Sequence, residues 1–200
     1  PIYNWGTDEQ KAEWLPELTA GKKLAAFGLT EPEAGSDAGN TKTKAELDGD
    51  EWVVNGAKQF ITNSGSDLTS VVTVTARTGR DEQSGKAEIS AILVPAGTPG
   101  FTAEPAYDKL GWHASDTHPL TFVDARVPEA NLLGDRGRGF AQFLATLDDG
   151  RVAIAALAVG CIQACLDMSV AYAGERQTFG VPIGRKQGLA FQIADLQVML

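Results

Sequence analysis

The period of the hydrophobic residues changes twice along this chain, and this change restricts the possible folds more than any other feature. Apolar residues recur at helical intervals up to about residue 24, alternate with a period of two up to about residue 127, and return to helical intervals after Gly134. With 200 residues, the chain is long enough to bury a core without disulfide or metal staples. This order predicts an α+β protein in which a β domain lies between two helical segments.

The first helical segment is short. Thr7 and Gln10 have the spacing of a capping box, Leu18 continues the helical period, and Gly21 is placed to end the helix. We interpret residues 1–24 as the tail of an N-terminal helical domain.

The central segment, residues 25–130, contains short β-branched and aromatic runs bounded by Gly, Pro or Asp. The dipeptides Asp48-Gly49 and Asn55-Gly56 are typical of hairpins and predict two turns. Short strands at this spacing predict a central antiparallel β-barrel or sandwich. The predicted strands cover residues 41–47, 51–54, 71–75, 89–94 and 120–123.

The last segment, residues 131–200, predicts one long helix from about Gly139 to Glu175 and a second helix from about Lys186. A breaker segment at residues 180–184 separates them. Two helices with apolar stripes cannot bury these stripes alone. We therefore expect the first helices of an incomplete four-helix bundle, completed by further helices or by a partner subunit.

The charge of the chain restricts its partners. Lys and Arg number 17 against 26 Asp and Glu, so the net charge is −9 and most of the surface repels nucleic acid and anionic membranes. A polyanionic ligand needs a local basic pocket. The longest run without a polar side chain, residues 152–162, is shorter than the roughly 20 residues of a membrane span, so no span is predicted. Pro1 in place of Met, and a helical pattern running to Leu200 without a stop signal, suggest a fragment.

We predict no metal site from the cysteines and histidines of the chain, the residue types that most often bind metals. Cys161 and Cys165 lie four residues apart in the long helix, and we expect two small buried apolar side chains there. His113 and His118 could bind a metal with Asp116, but a solvated loop is the favoured interpretation and neither residue is assigned a role.

Two segments of the β region could hold a ligand. The loop that begins at Phe27 is rich in small residues and carries the hydroxyls of Thr30 and Ser36, which suit an anion, although such a loop is more often a simple turn. Phe60 and Thr62 could stack on a flat heteroaromatic ring and donate a hydrogen bond to it. A core Phe and a turn Thr are the alternative.

Two segments of the helical region are also candidates. Residues 148–151 place two acids, a glycine and an arginine within the apolar helix, as either a solvated face or the lining of a cleft. Arg176 could bind phosphate or complement the helix dipole at the end of the long helix.

Taken in order, these segments resemble the acyl-CoA dehydrogenase family over nearly the whole chain. Several independent motifs at compatible spacing are more specific than any one of them. The matching motifs are Leu-Thr-Glu-Pro-x-x-Gly-Ser-Asp at 29–37, Asn-Gly-x-Lys-x-x-Ile-Thr-Asn at 55–63, Lys-Leu-Gly-Trp at 109–112, Asp-x-Gly-Arg at 148–151, Glu-Arg-x-x-Phe-Gly at 175–180, and Gln187.

The resemblance implies roles for particular residues. Phe60 stands where the family usually has Trp, and keeps an apolar ring with less area and no indole N–H. The implied substrate contacts are Ser36, Asp148, Asp149, Gly150 and Arg151. The implied FAD contacts are Phe27, Leu29, Thr30, Ser36, Phe60, Ile61 and Thr62, together with Arg176, Phe179 and Gln187, which would reach the FAD of a neighbouring subunit.

The implied reaction is α,β-dehydrogenation of an acyl-CoA thioester, as in fatty acid metabolism. A carboxylate removes the α-proton, the β-carbon gives a hydride to flavin N5, and the electrons pass to an electron-transferring flavoprotein. The base is expected beyond Leu200, so we assign no catalytic residue in this chain. Some subfamilies place the base at the position of Gly150, which has no side chain.

The resemblance also implies a homodimer or homotetramer, in the cytoplasm of a bacterium or the mitochondrial matrix of a eukaryote. Two alternatives remain open. One is an acyl-CoA oxidase or a flavin-dependent monooxygenase of the same superfamily, and the other is a non-catalytic binding or assembly module.

Overall fold

The computed structural model describes residues 1–80 and 85–200, which form two compact units. The first unit runs from Pro1 to Thr146 and the second from Leu147 to Leu200. The predicted division at residues 24/25 and 130/131 follows secondary structure rather than packing, and it stays a prediction.

Two helices begin the first unit, α1 (Ile2–Trp5) and α2 (Asp8–Thr19). The predicted capping box is confirmed, because the Thr7 hydroxyl accepts a hydrogen bond from the Gln10 amide and the Gln10 side chain accepts one from the Thr7 amide. Gly21 follows the helix with a φ of 68°, as expected for a glycine that ends a helix.

Seven strands of the first unit form one mixed sheet. The strand order is β1-β4-β2-β3-β7-β6, and β5 pairs with the other side of β4. The α+β class is confirmed, but the expectation of a purely antiparallel sheet is wrong because β1 and β2 pair with β4 in parallel. Long connections through other strands precede β4, and parallel pairing needs such connections. The strands are β1 (Leu24–Gly28), β2 (Lys44–Asp48), β3 (Glu51–Thr62), β4 (Thr69–Arg80), β5 (Ala87–Pro95), β6 (Phe101–Ala103) and β7 (Thr117–Pro128).

Of the two predicted hairpin turns, one is confirmed. Asp48 pairs with Glu51, so Gly49 and Asp50 form the two-residue turn between β2 and β3. The prediction of a turn at Asn55-Gly56 is wrong, because both residues lie inside β3. A Cβ at residue 56 would lie 2.5 Å from the Thr43 hydroxyl, so the glycine there permits close approach of β3 to the residue directly before β2.

The sheet has a core on each face. The larger core contains the inward side chains of β1 to β5 and β7, among them Trp52, Val54 and Phe122. On the other face, α1, α2 and the first turns of α3 (Gly139–Glu175) cover Val71 and Leu93. Both faces of the sheet are therefore buried at β4.

The second unit contains the rest of α3, the hairpin of β8 (Gln177–Thr178) and β9 (Val181–Pro182), and α4 (Gln187–Met199). The predicted long helix and second helix are confirmed. Among the described residues of this unit, only Leu166 and Ala173 are buried apolar side chains. Cys161 and Cys165 are exposed free thiols, so the expectation that they are buried is wrong.

Among the described residues, α3 is the one helix long and apolar enough to cross a membrane, and 6% of its most apolar window is buried. The core helix of a soluble bundle meets the same criteria. The absence of a membrane span therefore stays a prediction.

Candidate functional site

The first two sequence motifs meet at one edge of the β-sheet. The chain leaves β1 through Leu29 and Thr30, and the Thr30 carbonyl accepts a hydrogen bond of 2.8 Å from the Gln59 amide in β3. Gln59 directly precedes Phe60, Ile61 and Thr62. The structure thus brings together the two segments that were predicted to line a ligand site.

A β-bulge displays Phe60 at this edge. Lys58 pairs with Leu120 and Ile61 pairs with His118, so β3 advances three residues while β7 advances two. Phe60 occupies the extra position with a φ of 60°, which is rare for a bulky residue. Strained positions of this kind concentrate at binding and catalytic sites.

The bulge separates the three predicted contacts of β3. The Phe60 ring is 60% exposed and lies 5.0 Å from the ring of Tyr107, and Thr62 is exposed as well. The Ile61 side chain is buried in the larger core. A ligand at this edge can therefore reach only the backbone of Ile61, which limits the contact that the resemblance implied.

The hydroxyl groups in this part of the first unit fall into two sets. Those of Thr41, Thr43, Ser64, Thr69 and Thr75 form hydrogen bonds within the protein. Among the described residues, by contrast, no protein partner is hydrogen-bonded to the side-chain hydroxyls of Thr30, Ser36 and Thr62. The three hydroxyls singled out by sequence are thus available to a ligand.

Phe27 and Leu29 have a second role in packing. The Phe27 ring stacks on Phe143, with centroids 3.9 Å apart, and Leu29 packs against the same core. Both side chains are half-buried, which fixes the end of β1 beside the first turns of α3.

Sequence reasoning missed a buried ion pair behind this edge. Lys58 lies on the core side of β3, and its Nζ is 2.8 Å from Oε1 of Glu31. The side-chain exposures are 0% and 2%. The same Nζ lies within hydrogen-bonding distance of the Leu29 carbonyl at 3.2 Å, of Thr41 Oγ1 at 3.2 Å and of Thr75 Oγ1 at 3.0 Å.

The environment changes the acidity of both partners. Burial acts to raise the pKa of Glu31, but the attraction of Lys58 and hydrogen bonds from Lys58, Thr41 and the Lys42 amide outweigh it and lower this pKa to about 2. Burial lowers the pKa of Lys58 to about 8, against the attraction of Glu31. Both groups are charged at neutral pH.

A signal for this pair was present in the sequence. Trp52, Val54 and Lys58 are separated by even numbers of residues, so their side chains lie on the same face of a strand. Because Trp52 and Val54 are apolar, this face is predicted to be buried, and Lys58 with it. A buried lysine needs a carboxylate, and Glu31 is the acid inside the motif at residues 29–37.

The residues after Thr62 are held by a second polar cluster. Asp116 accepts a hydrogen bond of 3.1 Å from the Gly65 amide and lies 3.2 Å from Nε2 of His118, whose Nδ1 is 2.7 Å from the Glu104 carbonyl. His118, to which the sequence assigned no role, is thus structural. Among the described residues, no group of three or more His, Cys, Asp or Glu side chains could hold a metal ion.

A groove of about 670 Å³ has Asp37, the residue that follows Ser36, in its lining. Asp37, Arg77, Lys86 and Phe140 are among its lining residues, and the buried Nε of Arg77 has no hydrogen-bond partner among the described groups. The groove thus places two cationic side chains, Arg77 and Lys86, beside one acid, Asp37.

In the second unit, Asp148, Asp149, Gly150 and Arg151 all lie on the exposed surface of α3. Arg151 forms an exposed ion pair with Asp148, one turn away. Gly150 does not interrupt the helix.

The remaining predicted residues lie around the β8–β9 hairpin. Arg176 is exposed, and its carbonyl accepts a hydrogen bond of 2.8 Å from Ile183. The Phe179 ring is 97% exposed, with Lys186 Nζ 4.4 Å from its centroid. Gln187 begins α4 and is exposed. These side chains are therefore free to contact another molecule.

Two family descriptions match the chain. The middle domain of acyl-CoA dehydrogenase matches residues 26–125, and the C-terminal domain of acyl-CoA dehydrogenase matches residues 137–200. The first match alone covers half of the chain.

Individual relatives agree with these matches. A probable acyl-CoA dehydrogenase, YngJ, of Bacillus subtilis is 54% identical over 98% of this chain and 51% of its own length. The mitochondrial short-chain specific acyl-CoA dehydrogenase of Rattus norvegicus is 46% identical over the whole chain and 48% of its own length. An acyl-CoA dehydrogenase of Bacillus anthracis, solved in complex with FAD, is similar with a TM-score of 0.86 and 38% identity, over 96% of this chain and 32% of its own.

The chain thus spans about half the length of the curated relatives it matches. Its long helix and all the motif segments fall within the matched regions, and so does its sheet except for the first residues of β1 and the last residues of β7. The chain belongs to the acyl-CoA dehydrogenase family.

Proposed function

We propose that the full-length protein is an FAD-dependent acyl-CoA dehydrogenase that introduces an α,β double bond into an acyl-CoA thioester. The observation that carries this proposal is the meeting of the Thr30 segment with β3 beside the exposed ring of Phe60, where the hydroxyls of Thr30 and Thr62 have no hydrogen-bond partner among the described residues. Hydroxyls left free beside a strained aromatic residue suit a flat, polar-edged ligand.

These residues fit FAD. Its isoalloxazine ring has an aromatic face and hydrogen-bonding edges, which match a Phe ring flanked by hydroxyl and backbone donors. When bound, FAD accepts the hydride that leaves the β-carbon of the substrate. Phe60 supplies the apolar contact, Thr62 donates a hydrogen bond, and the backbone at Leu29 and Thr30 orients the ring edge.

Ser36 and the groove beside it are proposed to receive the coenzyme A part of the substrate. The guanidinium of Arg77 and the ammonium of Lys86 suit its phosphate groups, which would otherwise be repelled by a chain of charge −9. Asp148, Asp149, Gly150 and Arg151 are proposed to contact the substrate from α3. The catalytic carboxylate is expected outside residues 1–200.

The second unit is proposed to assemble a homodimer or homotetramer. Exposed apolar side chains along α3 and α4 need a covering surface. Arg176, Phe179 and Gln187 would then reach the FAD of a neighbouring subunit. An electron-transferring flavoprotein is the proposed electron acceptor, and the name of the rat relative favours a short acyl chain.

The test is titration of the full-length protein, loaded with FAD, with acyl-CoAs of increasing length. Loss of the flavin absorbance is expected, with the strongest response to short chains. No loss with any chain length would contradict the proposal. Oxygen consumption that replaces reduction of electron-transferring flavoprotein would identify an oxidase.

Thr62→Val sharpens this test. Its hydroxyl has no hydrogen-bond partner among the described residues, so the variant should keep its stability and lose up to about tenfold in rate, because one hydrogen bond to a neutral group is worth about 0.5 to 1.5 kcal/mol. Thr69→Val is the matched control, because the Thr69 hydroxyl bonds to the Asn63 carbonyl. This control should lose stability and keep its rate.

A further inference from the structure

We propose that the ion pair of Glu31 and Lys58 positions the flavin-binding backbone: it fixes residues 28–31 against β3 and closes the loop that carries Ser36. This inference rests on the proposed function. Neither side chain reaches the exposed edge, so both act through the backbone that they hold.

Lys58 anchors the end of β1. Its Nζ donates to the Leu29 carbonyl at 3.2 Å and to Thr75 Oγ1 at 3.0 Å, and the Thr75 hydroxyl donates to the Gly28 carbonyl at 3.4 Å. Two successive carbonyls, directly before Thr30, are therefore tied to one ammonium group. Since Lys58 lies in β3 two residues before Phe60, the same side chain links both halves of the proposed site.

Glu31 closes the loop. Its carboxylate accepts hydrogen bonds from the Thr41 hydroxyl and from the backbone amides of Lys42 and Thr43, while its own amide and carbonyl pair with those of Ala34. The loop of residues 32–40, which contains Ser36, is thus held at both ends by one residue. The loop needs no ligand to be closed in this way.

Stability alone does not account for this pair. Removing two charges from water costs several kcal/mol, and replacing a buried ion pair by neutral side chains of similar volume is often neutral or stabilising. What the neutral replacement loses is the hydrogen bond from Lys58 Nζ to the Leu29 carbonyl and the one to Thr75 Oγ1, which orients the Thr75 hydroxyl towards the Gly28 carbonyl. A positioning role therefore predicts that stability and flavin affinity separate when the pair is replaced.

The test compares FAD binding and stability in the full-length protein stripped of its cofactor. In Glu31→Gln with Lys58→Met, the glutamine keeps an acceptor for the backbone amides and the methionine fills the lysine channel. We expect unfolding in urea close to that of wild type, an FAD dissociation constant raised about tenfold or more, and an altered visible band of the bound flavin. The single variant Lys58→Arg, which keeps a cation beside Glu31, should bind FAD more tightly than the double variant.

Two matched controls separate positioning from general weakening. Val54→Ala lowers stability from the core of the same strand without touching the pair. Arg126→Met removes the exposed ion pairs with Asp48 and Glu51 at the other end of β3. Both controls should keep the FAD dissociation constant within about threefold of wild type.

Three results would overturn the inference. The first is an unchanged dissociation constant and flavin spectrum in the double variant. The second is a loss of FAD affinity in Val54→Ala as large as the loss in the double variant, which would mean that any weakening of the sheet lowers FAD affinity and that the pair has no positioning role. The third result applies if the double variant does not fold. Glu31→Gln and Lys58→Arg are then measured separately, and an unchanged FAD dissociation constant in both would overturn the inference. Wild-type protein that binds no FAD would overturn the proposed function itself, a result distinct from these three.

Discussion

The two compact units of this chain bury their apolar side chains to very different degrees. In the first unit the sheet is covered on both faces and its core includes Trp52, Phe122 and Phe143. In the second unit, Leu166 and Ala173 are the only buried apolar side chains among the described residues, although α3 and α4 are rich in Leu, Ile and Val. The first unit buries or half-buries most of its own large apolar side chains, whereas the second unit leaves most of its own exposed.

This difference indicates where each unit obtains its stability. A sheet with helices on one face and inward side chains on the other encloses its own core. A helix that is apolar over most of its surface is stable in water only when other surfaces cover it. The second unit is therefore the part of the molecule whose exposed apolar side chains a further surface could cover.

The largest test of this comparison is a matched pair of leucines. Leu120→Ala, at a position with 0% exposure in the first unit, should lower the free energy of unfolding by about 3 to 4 kcal/mol because it leaves a cavity. Leu157→Ala, at 49% exposure in α3, should lower it by less than about 1 kcal/mol in the 200-residue chain. Urea unfolding measures both.

The same pair can also break the comparison. In the full-length protein, where the proposed bundle is complete, the cost of Leu157→Ala should rise towards that of Leu120→Ala. An equally small cost there would mean that this face of α3 stays open to water.

The second test compares two ion pairs. Glu31 and Lys58 are buried, whereas Asp148 and Arg151 are exposed. At pH 7, Glu31→Gln should cost about 3 kcal/mol of unfolding free energy because Lys58 loses its charged partner. Asp148→Asn should cost less than about 0.5 kcal/mol.

The pH dependence distinguishes the pairs further. The pKa of Glu31 falls from its ordinary 4.5 to about 2 in the folded state, so the unfolded chain binds the extra proton first as the pH falls. The contribution of the pair is therefore complete above about pH 5 and lost between about pH 5 and pH 2. Urea midpoints over this range should fall more steeply for wild type than for Glu31→Gln, and a parallel fall would contradict the assignment.

The smallest expected effect comes from two glycines of the same helix. A Cβ at Gly139 would lie 2.2 Å from the backbone of Ser90, whereas nothing lies within 4 Å of a Cβ at Gly160. Gly139→Ala should destabilise by about 2 kcal/mol through overpacking. Gly160→Ala should stabilise by about 0.5 to 1 kcal/mol through helix propensity. Thermal unfolding of both variants checks the opposite signs, and two changes of the same sign would contradict the difference in packing at these two positions of α3.

Local signals in the sequence predicted most of the elements. The capping box at Thr7, the turn at Asp48-Gly49 and the helix from Gly139 to Glu175 depend on neighbouring residues or on a continuous period, and all three are confirmed. Asn55-Gly56 failed as a turn because its glycine permits a close approach to Thr43, the residue directly before β2. A dipeptide does not reveal which distant backbone passes beside it.

The candidate site was likewise predicted in part by residue type and in part only by contacts between distant residues. Its hydroxyls and the aromatic ring of Phe60 could be selected by residue type, and the structure brings Thr30 and Phe60 to one edge through the bond from Gln59. The burial of Ile61 could not be predicted, because a bulge changes which face each side chain takes.

By itself, the sequence determined the order of elements, the α+β class and the family, because these follow from period and from motifs that are local in the chain. Only the tertiary structure decided the parallel pairing of β1 and β2 with β4, the bulge that displays Phe60 and the joining of Glu31 to Lys58. Each of these depends on contacts between residues far apart in sequence. Their free energies come from burial and directed hydrogen bonding, which exist only once the chain has folded.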